Sequence, residues 1–375
     1  MGGESLRILH LIDHLGLGGA QTFLVSLLQA WPSPEDNLHL LGLGHKCEVY
    51  ETFKGLPRVQ VPPPAPHKLS LRNIRLARRF MREGKFDIVH CHLPKATALA
   101  LLSPVSPKVG LILHEHGDPA LRSQPYHAVT RLRWKKSAAV IANAGAVADD
   151  LATHAAVPRN HIRVVPNGVH LESFDGSSKL PAGVWEELRI PKTSTVIGFA
   201  GRLAEQKGVT FLLEALARVY EHHNDIAAVI VGDGPLRPAL EVQAAALNLG
   251  QLVHFVGYQT NVAQWMALFD VGVVPSLWEP FGISAIELMA SRVPIVASNI
   301  GGLKENISDE DTGLLVPPRD VPALTEAISR LLQDASLRKQ LAEAARTLVA
   351  EHFTIASTAR QIRDLYIEVC SGGAA

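Results

Sequence analysis

The feature that most constrains this chain is an alternation that runs twice along it. Short β-branched, apolar runs alternate with longer stretches whose apolar residues recur at helical spacing, such as Gln21–Ala30 and Leu71–Met81. The first series predicts strands at Arg7–Ile12, Leu38–Leu43, Val59–Val61, Asp87–Cys91, Gly110–His114, Ala139–Ala142 and Ile162–Val165. The second predicts strands at Thr195–Ala200, Ala227–Val231, Leu252–Val256, Val271–Val274, Pro294–Ala297 and Gly313–Val316. Strands that are apolar throughout and separated by helices belong to parallel sheets covered on both faces. A chain of 375 residues also exceeds the size at which one core stops growing, so two domains are expected. The fold class is therefore α/β, with two doubly wound, Rossmann-like domains and a cleft between them. Asp175–Thr193 is rich in Gly, Ser, Pro and Lys, has no clean period, and is the expected linker. The expected domains are residues 1–177 and 178–353, and Pro322–Val369 reads as three helices without a strand.

Charge narrows the partners. Lys plus Arg and Asp plus Glu number 36 each, so no global field recommends nucleic acid. Cys47, Cys91 and Cys370 form neither a zinc spacing nor a disulfide framework, which suits a reducing cytoplasm. Met1–Leu6 reads as no signal peptide. Ala96–Leu113 is broken by Pro104, Pro107 and Lys108, so it reads as helix, turn and buried strand rather than a membrane span.

Ligands of open α/β sheets bind at the carboxyl ends of the strands, which directs attention to the residues that follow them. After the first strand come Gly16, Gly18 and Gly19, then a helix. Backbone N–H groups and a helix N-terminus there suit phosphate, although a plain tight turn is the alternative. The spacing is not the dinucleotide G-x-G-x-x-G, because Gln21 stands after the pair. His90 lies on one strand with His92 just after it, and His114 and His116 lie on and after the next. Histidines so placed can bind metal, hydrogen-bond sugar hydroxyls or move protons. His90 and His92 read as structural, and His116, beside a glycine, as functional.

In the second half, Gly201-Arg202 ends a strand and Lys207-Gly208 precedes a helix. Two cations there suit a diphosphate, whose charge grows as it leaves. The loop after Val271–Val274 carries Glu279, Phe281 and Gly282, and a helix beginning near Ile283 carries Glu287. The two carboxylates, on the order of 10 Å apart along a helix axis, can accept hydrogen bonds from one extended polyol. Backbone N–H groups from Phe281 onward offer an anion or oxygen site. Asp309-Glu310-Asp311 reads as a solvated loop.

At these residues the sequence resembles the family 4 (group 1) glycosyltransferases of GT-B fold, over nearly the whole chain. The resemblance rests on the glutamate-x7-glutamate pair Glu279 and Glu287, on Gly201-Arg202 with Lys207-Gly208, on Val231-Gly232-Asp233-Gly234-Pro235 and on Ser298-Asn299-Ile300-Gly301-Gly302. The first half adds Gly18-Gly19-Ala20, Asp87-Ile88-Val89-His90 and Val165-Pro166-Asn167-Gly168-Val169. It implies that Gly18 and Gly19 approach the donor phosphates, that Arg202 and Lys207 hold them, and that Gly201 lies beside them. It places Glu279 and His116 on the transferred sugar, Glu287 on the ribose, Phe281, Gly282 and Ile283 as backbone contacts, and Gly257 and Tyr258 at the base. It implies that the last helix, within about residues 354–375, crosses back onto the first domain. Leu288, Arg292 and Asn143-Ala144-Gly145 depart from the family pattern.

The implied activity is transfer of a hexose, with retention, from a UDP- or GDP-type sugar to a glycan or lipid-linked acceptor of envelope or polysaccharide synthesis. The nucleotide sugar is a substrate; no cofactor and no metal are expected. Alternatives are a nucleotide-sugar epimerase of the same architecture and a non-catalytic nucleotide-sugar-binding protein. Arg72, Arg75, Arg79 and Arg82 form a helical stripe after Pro62–Pro66. A solvated face is one reading of it, and peripheral contact with an anionic membrane surface is the other.

Overall fold

The computed structural model describes residues 5–63, 71–117, 124–175 and 183–372, with backbone alone at 71–73, 124–127 and 133. The chain divides into two compact units, Met1–Gly168 with Ile355–Ala375, and Val169–Thr354. The division falls at Gly168, earlier than the expected 177, which lies outside the described residues. The chain passes between units beside an isolated bridge, Val169 to Thr354, and part of the expected linker folds as the helix Val184–Leu188.

The first unit holds a seven-stranded sheet. Its strands are β1 (Arg7–Ile12), β2 (Asn37–Gly42), β3 (Val59–Gln60), β4 (Ile88–His92), β5 (Gly110–Glu115), β6 (Ala139–Ala142) and β7 (Ile162–Val164). The spatial order is β3-β2-β1-β4-β5-β6-β7, with every pair parallel. The second unit holds β8 (Thr195–Ala200), β9 (Ile226–Val231), β10 (Val253–Gly257), β11 (Val271–Val274), β12 (Ile295–Ser298) and β13 (Leu314–Val316). Their order is β10-β9-β8-β11-β12-β13, again all parallel. Each order reverses direction beside its first strand, at β1/β4 and β8/β11. Those reversals open the crevices where doubly wound sheets take ligands. All the residues of β5 and of β9 are buried, as helices on both faces require.

The C-terminal helix Ile355–Cys370 belongs to the first unit. Arg363 Nε donates to Asp36 Oδ2 at 2.8 Å, and the same carboxylate accepts from Trp31 Nε1 at 2.9 Å and Leu6 N at 3.0 Å. Burial raises the Asp36 carboxyl's pKa, but Arg363, the Leu6 amide and Trp31 together hold it below its ordinary value.

The basic helix is Leu71–Glu83. Arg79 and Arg82 both contact Glu83, at 2.7 and 3.1 Å, and Arg78 Nε donates to Ser103 Oγ at 3.1 Å. The Arg72 side chain and residues 64–66 lie outside the described residues. Among the described residues no helix is long and apolar enough to cross a membrane.

Candidate functional site

The second unit builds its candidate site from loops after β8, β11 and β12. Gly208 has φ 62°, and a Cβ there would meet the Pro275 carbonyl oxygen at 2.0 Å. Only glycine allows this approach. It presses the loop carrying Lys207 against the loop carrying Glu279. Leu277 N donates to Gln206 O at 2.7 Å, and Gln206 Nε2 donates to Trp278 O at 3.1 Å. From the β12 side, Gly302 N donates to Glu279 O at 2.9 Å.

The stitched loops bring Lys207 and Glu279 into direct contact. Lys207 Nζ donates to Glu279 Oε2, and Ser276 Oγ donates to the same oxygen at 3.1 Å. Glu279 is buried, and the Lys207 side chain is 17% exposed. Sequence reasoning set Arg202 and Lys207 together as two cations for one diphosphate. Here Arg202 is exposed at the end of β8, while Lys207 is already paired. The pair spans 72 positions, and no local pattern announces it. Ser276 was also missed, although it stands three residues before Glu279.

Glu287 lies on the helix Ile283–Ala290, between the buried Ile286 and Leu288. Burial pushes its carboxyl up to about 7, and the Lys207 charge opposes that rise. At the N-cap, Gly282 has φ 90°. A Cβ there would stand 2.5 Å from Leu303 Cδ2, so this turn also requires glycine. Phe281 is buried with its ring 6.0 Å from that of Phe353, and its carbonyl accepts from Asn306 Nδ2 at 2.7 Å. Its side chain therefore packs, and its amide is what remains to meet a ligand. Asn306 carried no sequence signal. Ile283 is 37% exposed. Gly257 ends β10 and accepts from Gly232 N at 2.8 Å, Gly201 follows β8, and Tyr258 is 61% exposed. All of these residues stand at the carboxyl edge of the second sheet.

In the first unit, Gly18 and Gly19 open the helix Gly19–Gln29. Gly18 has φ 168°, an extended backbone open to any residue, and a Cβ on Gly19 would meet nothing within 4 Å. A Cβ on Gly18 would stand 2.6 Å from Oε1 of the buried Gln21, so the chain favours glycine there, whereas nothing in the chain forces it at Gly19. What the pair provides is uncovered backbone at a helix N-terminus. Gln21, in place of a further glycine, is buried and donates through Nε2 to His14 O at 3.2 Å.

His116 follows β5, and it is not alone. His10 on β1, His90 and His92 on β4, and His114 on β5 gather with it. His10 Nδ1 lies 3.1 Å from His92 Nε2, and His92 Nδ1 lies 2.9 Å from His116 Nε2. His90 Nδ1 hydrogen-bonds the Tyr366 hydroxyl of the C-terminal helix. Burial lowers His10 to about 3 and holds His90, His92 and His114 well below the ordinary imidazole range, so these four are neutral at pH 7. No metal-ligating set was expected. Among the described residues, two groups of three have ligand atoms within 4.8 Å of one another and could hold an ion, His10 with His90 and His92, and His92 with His114 and His116. The Asp309–Asp311 segment is exposed, and Glu310 pairs with Arg330.

Known proteins match this organisation unit by unit. Residues 17–173 match the model of Glycosyltransferase Family 4, and residues 185–348 that of Glycosyl transferases group 1. An uncharacterized glycosyltransferase of Methanocaldococcus jannaschii is 26% identical over 376 residues, covering 93% of this chain and 94% of that protein. The UDP-Gal:alpha-D-GlcNAc-diphosphoundecaprenol alpha-1,3-galactosyltransferase of Escherichia coli is 27% identical over 303 residues, 78% of each. Among solved structures, Anabaena HepE in complex with UDP and glucose superposes with a TM-score of 0.82 at 21% identity. That match covers 96% of this chain and 98% of that one, and it shows a common fold. With a family model on each unit and a glycosyltransferase relative aligned over 93% of the chain, the chain belongs to the group 1, family 4 glycosyltransferases of GT-B fold.

Proposed function

We propose that this glycosyltransferase moves a hexose, with retention of configuration, from a UDP- or GDP-sugar to a glycan or lipid-linked acceptor. The observation that carries the reading is the Lys207–Glu279–Ser276 cluster, set beside the N-terminus of the helix that carries Glu287. An ammonium and a row of backbone N–H groups are charge stabilisers for a departing diphosphate. A carboxylate held rigidly by two donors can position a sugar hydroxyl. Arg202 supplies the second cation, and Gly201 leaves room beside it. Glu287 accepts from the ribose, Gly257 and Tyr258 face the base, and the amides of Phe281, Gly282 and Ile283 meet sugar or phosphate oxygens. On the first unit, His116, Gly18 and Gly19 are the candidate donor-contacting residues.

In this reaction the bond from anomeric carbon to phosphate oxygen breaks, and the acceptor oxygen bonds the same carbon on the same face. The acceptor proton passes to the leaving phosphate. The second unit offers cations and amides for this route. Glu279, its one reaction-side carboxylate, is tied to Lys207 and Ser276 and is poorly placed as a nucleophile. No metal is required in this scheme, because Lys207 and Arg202 provide the positive charge.

The donor type is supported by relatives. The Escherichia coli protein is described as using UDP-galactose with a diphosphoundecaprenol acceptor, and HepE was solved with UDP and glucose. A thermal-shift panel of UDP, GDP and ADP tests the reading. UDP or GDP should raise Tm by mass action, and the matching sugar nucleotide should release free nucleotide in the presence of acceptor. A panel with no shift and no release would remove it. A changed sugar without transfer would indicate epimerisation, and a shift with no chemistry would indicate a binding protein. Peripheral membrane contact would rest on the arginines of Leu71–Glu83, three of which already hold intramolecular partners. Equal co-sedimentation with anionic and neutral vesicles would end that part of the proposal.

A further inference from the structure

The proposed transfer uses only His116 of the five gathered histidines, and the other four need an explanation. Side chains alternate between the faces of a strand. His10, His90, His92 and His114 share one face because the register sets His10 beside His90 and His92 beside His114. Ring centroids lie 4.2 Å apart for His90 and His92, 4.0 Å for His114 and His116, and 5.2 Å for His92 and His116. Phe23, on the helix that opens at Gly19, packs its ring 5.3 Å from His114 and 5.2 Å from His116. Both nitrogens of His114 are buried without a hydrogen-bond partner among the described residues. Buried polar atoms are ordinarily satisfied, and a group of unsatisfied ones points to a ligand.

The donor set decides which ligand. These are neutral nitrogen lone pairs with no carboxylate among them, which oxygen-seeking magnesium and calcium do not favour and which zinc, cobalt and nickel do. Imidazole nitrogens about 2.0–2.1 Å from a tetrahedral zinc ion stand roughly 3.4 Å from each other. The 2.9 Å between His92 Nδ1 and His116 Nε2 reaches that spacing by a small ring rotation. Burial chooses between the two triads. His10, His90 and His92 are all sealed, whereas the triad of His92, His114 and His116 ends in a partly exposed ring. An ion can enter there and keep a fourth position for water or an anion, which a doubly charged ion on three neutral ligands needs.

We propose that His92, His114 and His116 form a binding site for one borderline divalent ion of the zinc, cobalt or nickel type. Binding exchanges one imidazole–imidazole hydrogen bond for three metal–nitrogen bonds and gives His114 its partner. The ion clamps β4 to the end of β5 and fixes the ring of His116.

The test uses the full chain, freed of metal with chelator, and cobalt alone as the probe. About one equivalent should bind, with the strong visible absorption of four-coordinate cobalt, and the melting temperature should rise with cobalt concentration. His114→Leu and His116→Asn should each weaken binding by roughly a hundredfold or more, since even supporting residues of metal sites cost ten- to a hundredfold. His10→Gln should leave it in place. If melting curves show that His114→Leu does not fold, His116→Asn decides alone. Wild-type protein without stoichiometric cobalt would overturn the proposal. So would undiminished binding by His116→Asn, or loss of binding in a folded His10→Gln. Metal uptake is read without donor or turnover, so its failure leaves the proposed transfer reaction standing.

Discussion

Glu287→Gln should separate the cost of a buried charge from its use. The carboxyl has an ordinary value of 4.5 and is raised by burial to about 7. The folded state therefore binds this proton more tightly than the unfolded state. Its ionised form carries a penalty that is fully present above pH 7, shrinks between pH 7 and pH 4.5, and vanishes below. At about 1.4 kcal/mol per pH unit, the gap corresponds to about 3 kcal/mol. Partial access of solvent to the side chain makes that the upper end. Gln removes the charge but brings an amide that must find partners, a cost of about 1–3 kcal/mol that does not depend on pH. The diagnostic is thus the pH dependence, not the absolute stability. Urea midpoints of wild type and Glu287→Gln, measured without donor from pH 5 to pH 8, should diverge. The mutant should gain about 2–3 kcal/mol relative to wild type on going from pH 5 to pH 8. Parallel profiles would refute the buried, ionised carboxylate. Ribose hydroxyls do not react, so the same mutant should raise donor KM about tenfold with kcat little changed.

Four further outcomes follow from the geometry of the two units. Glu279→Gln removes both the proposed sugar contact and the partner of Lys207, and should lower kcat by roughly a hundredfold or more at saturating donor. Equal kcat effects from Glu279→Gln and Glu287→Gln, with folding intact, would contradict the division of roles. Asp36→Ala leaves Arg363 without its partner and should cost about 3–5 kcal/mol at pH 7, read from denaturant midpoints of the full chain; a change under about 1 kcal/mol would show that the C-terminal helix is held otherwise. The wild-type contribution of Asp36, whose folded value is depressed, should be present above its unfolded pKa and be lost as pH falls through the folded one. Turnover should survive excess EDTA, even though the same treatment strips any ion from the histidine triad; complete loss restored by magnesium or manganese would refute the metal-free scheme.

Much of the fold was legible because each strand signals itself locally. The apolar runs at Arg7–Ile12, Ala139–Ala142, Thr195–Ala200 and Val271–Val274 needed no knowledge of their neighbours to be bounded correctly. Errors elsewhere amount to a residue or so at strand ends, where hydrogen bonding rather than composition sets the limit. The units divide at Gly168 rather than at 177, beside a bridge between Val169 and Thr354, which are far apart in sequence and which no local composition announces as partners. The candidate site was legible as separate pieces: the sequence marks Lys207 and Gly208 after β8, and Glu279 and Glu287 after β11. That Lys207 is held by Glu279 was not, because the contact depends on Gly208 seating against Pro275 across the β8/β11 reversal. The histidine array was hidden for the same reason. His-x-His on β4 and again at the end of β5 was a visible signal. Only the sheet order β1-β4-β5 brings those four to His10.

The central claim is retaining transfer from a nucleotide sugar bound by the second unit, and the configuration of the product tests it most directly. Proton NMR of the reaction as it proceeds, with an α-linked donor and before any anomerisation, should show the α-linked product and an equal amount of released nucleotide. Lys207→Ala should abolish both signals together. A β-linked product would contradict the account, and so would full activity in a folded Lys207→Ala protein.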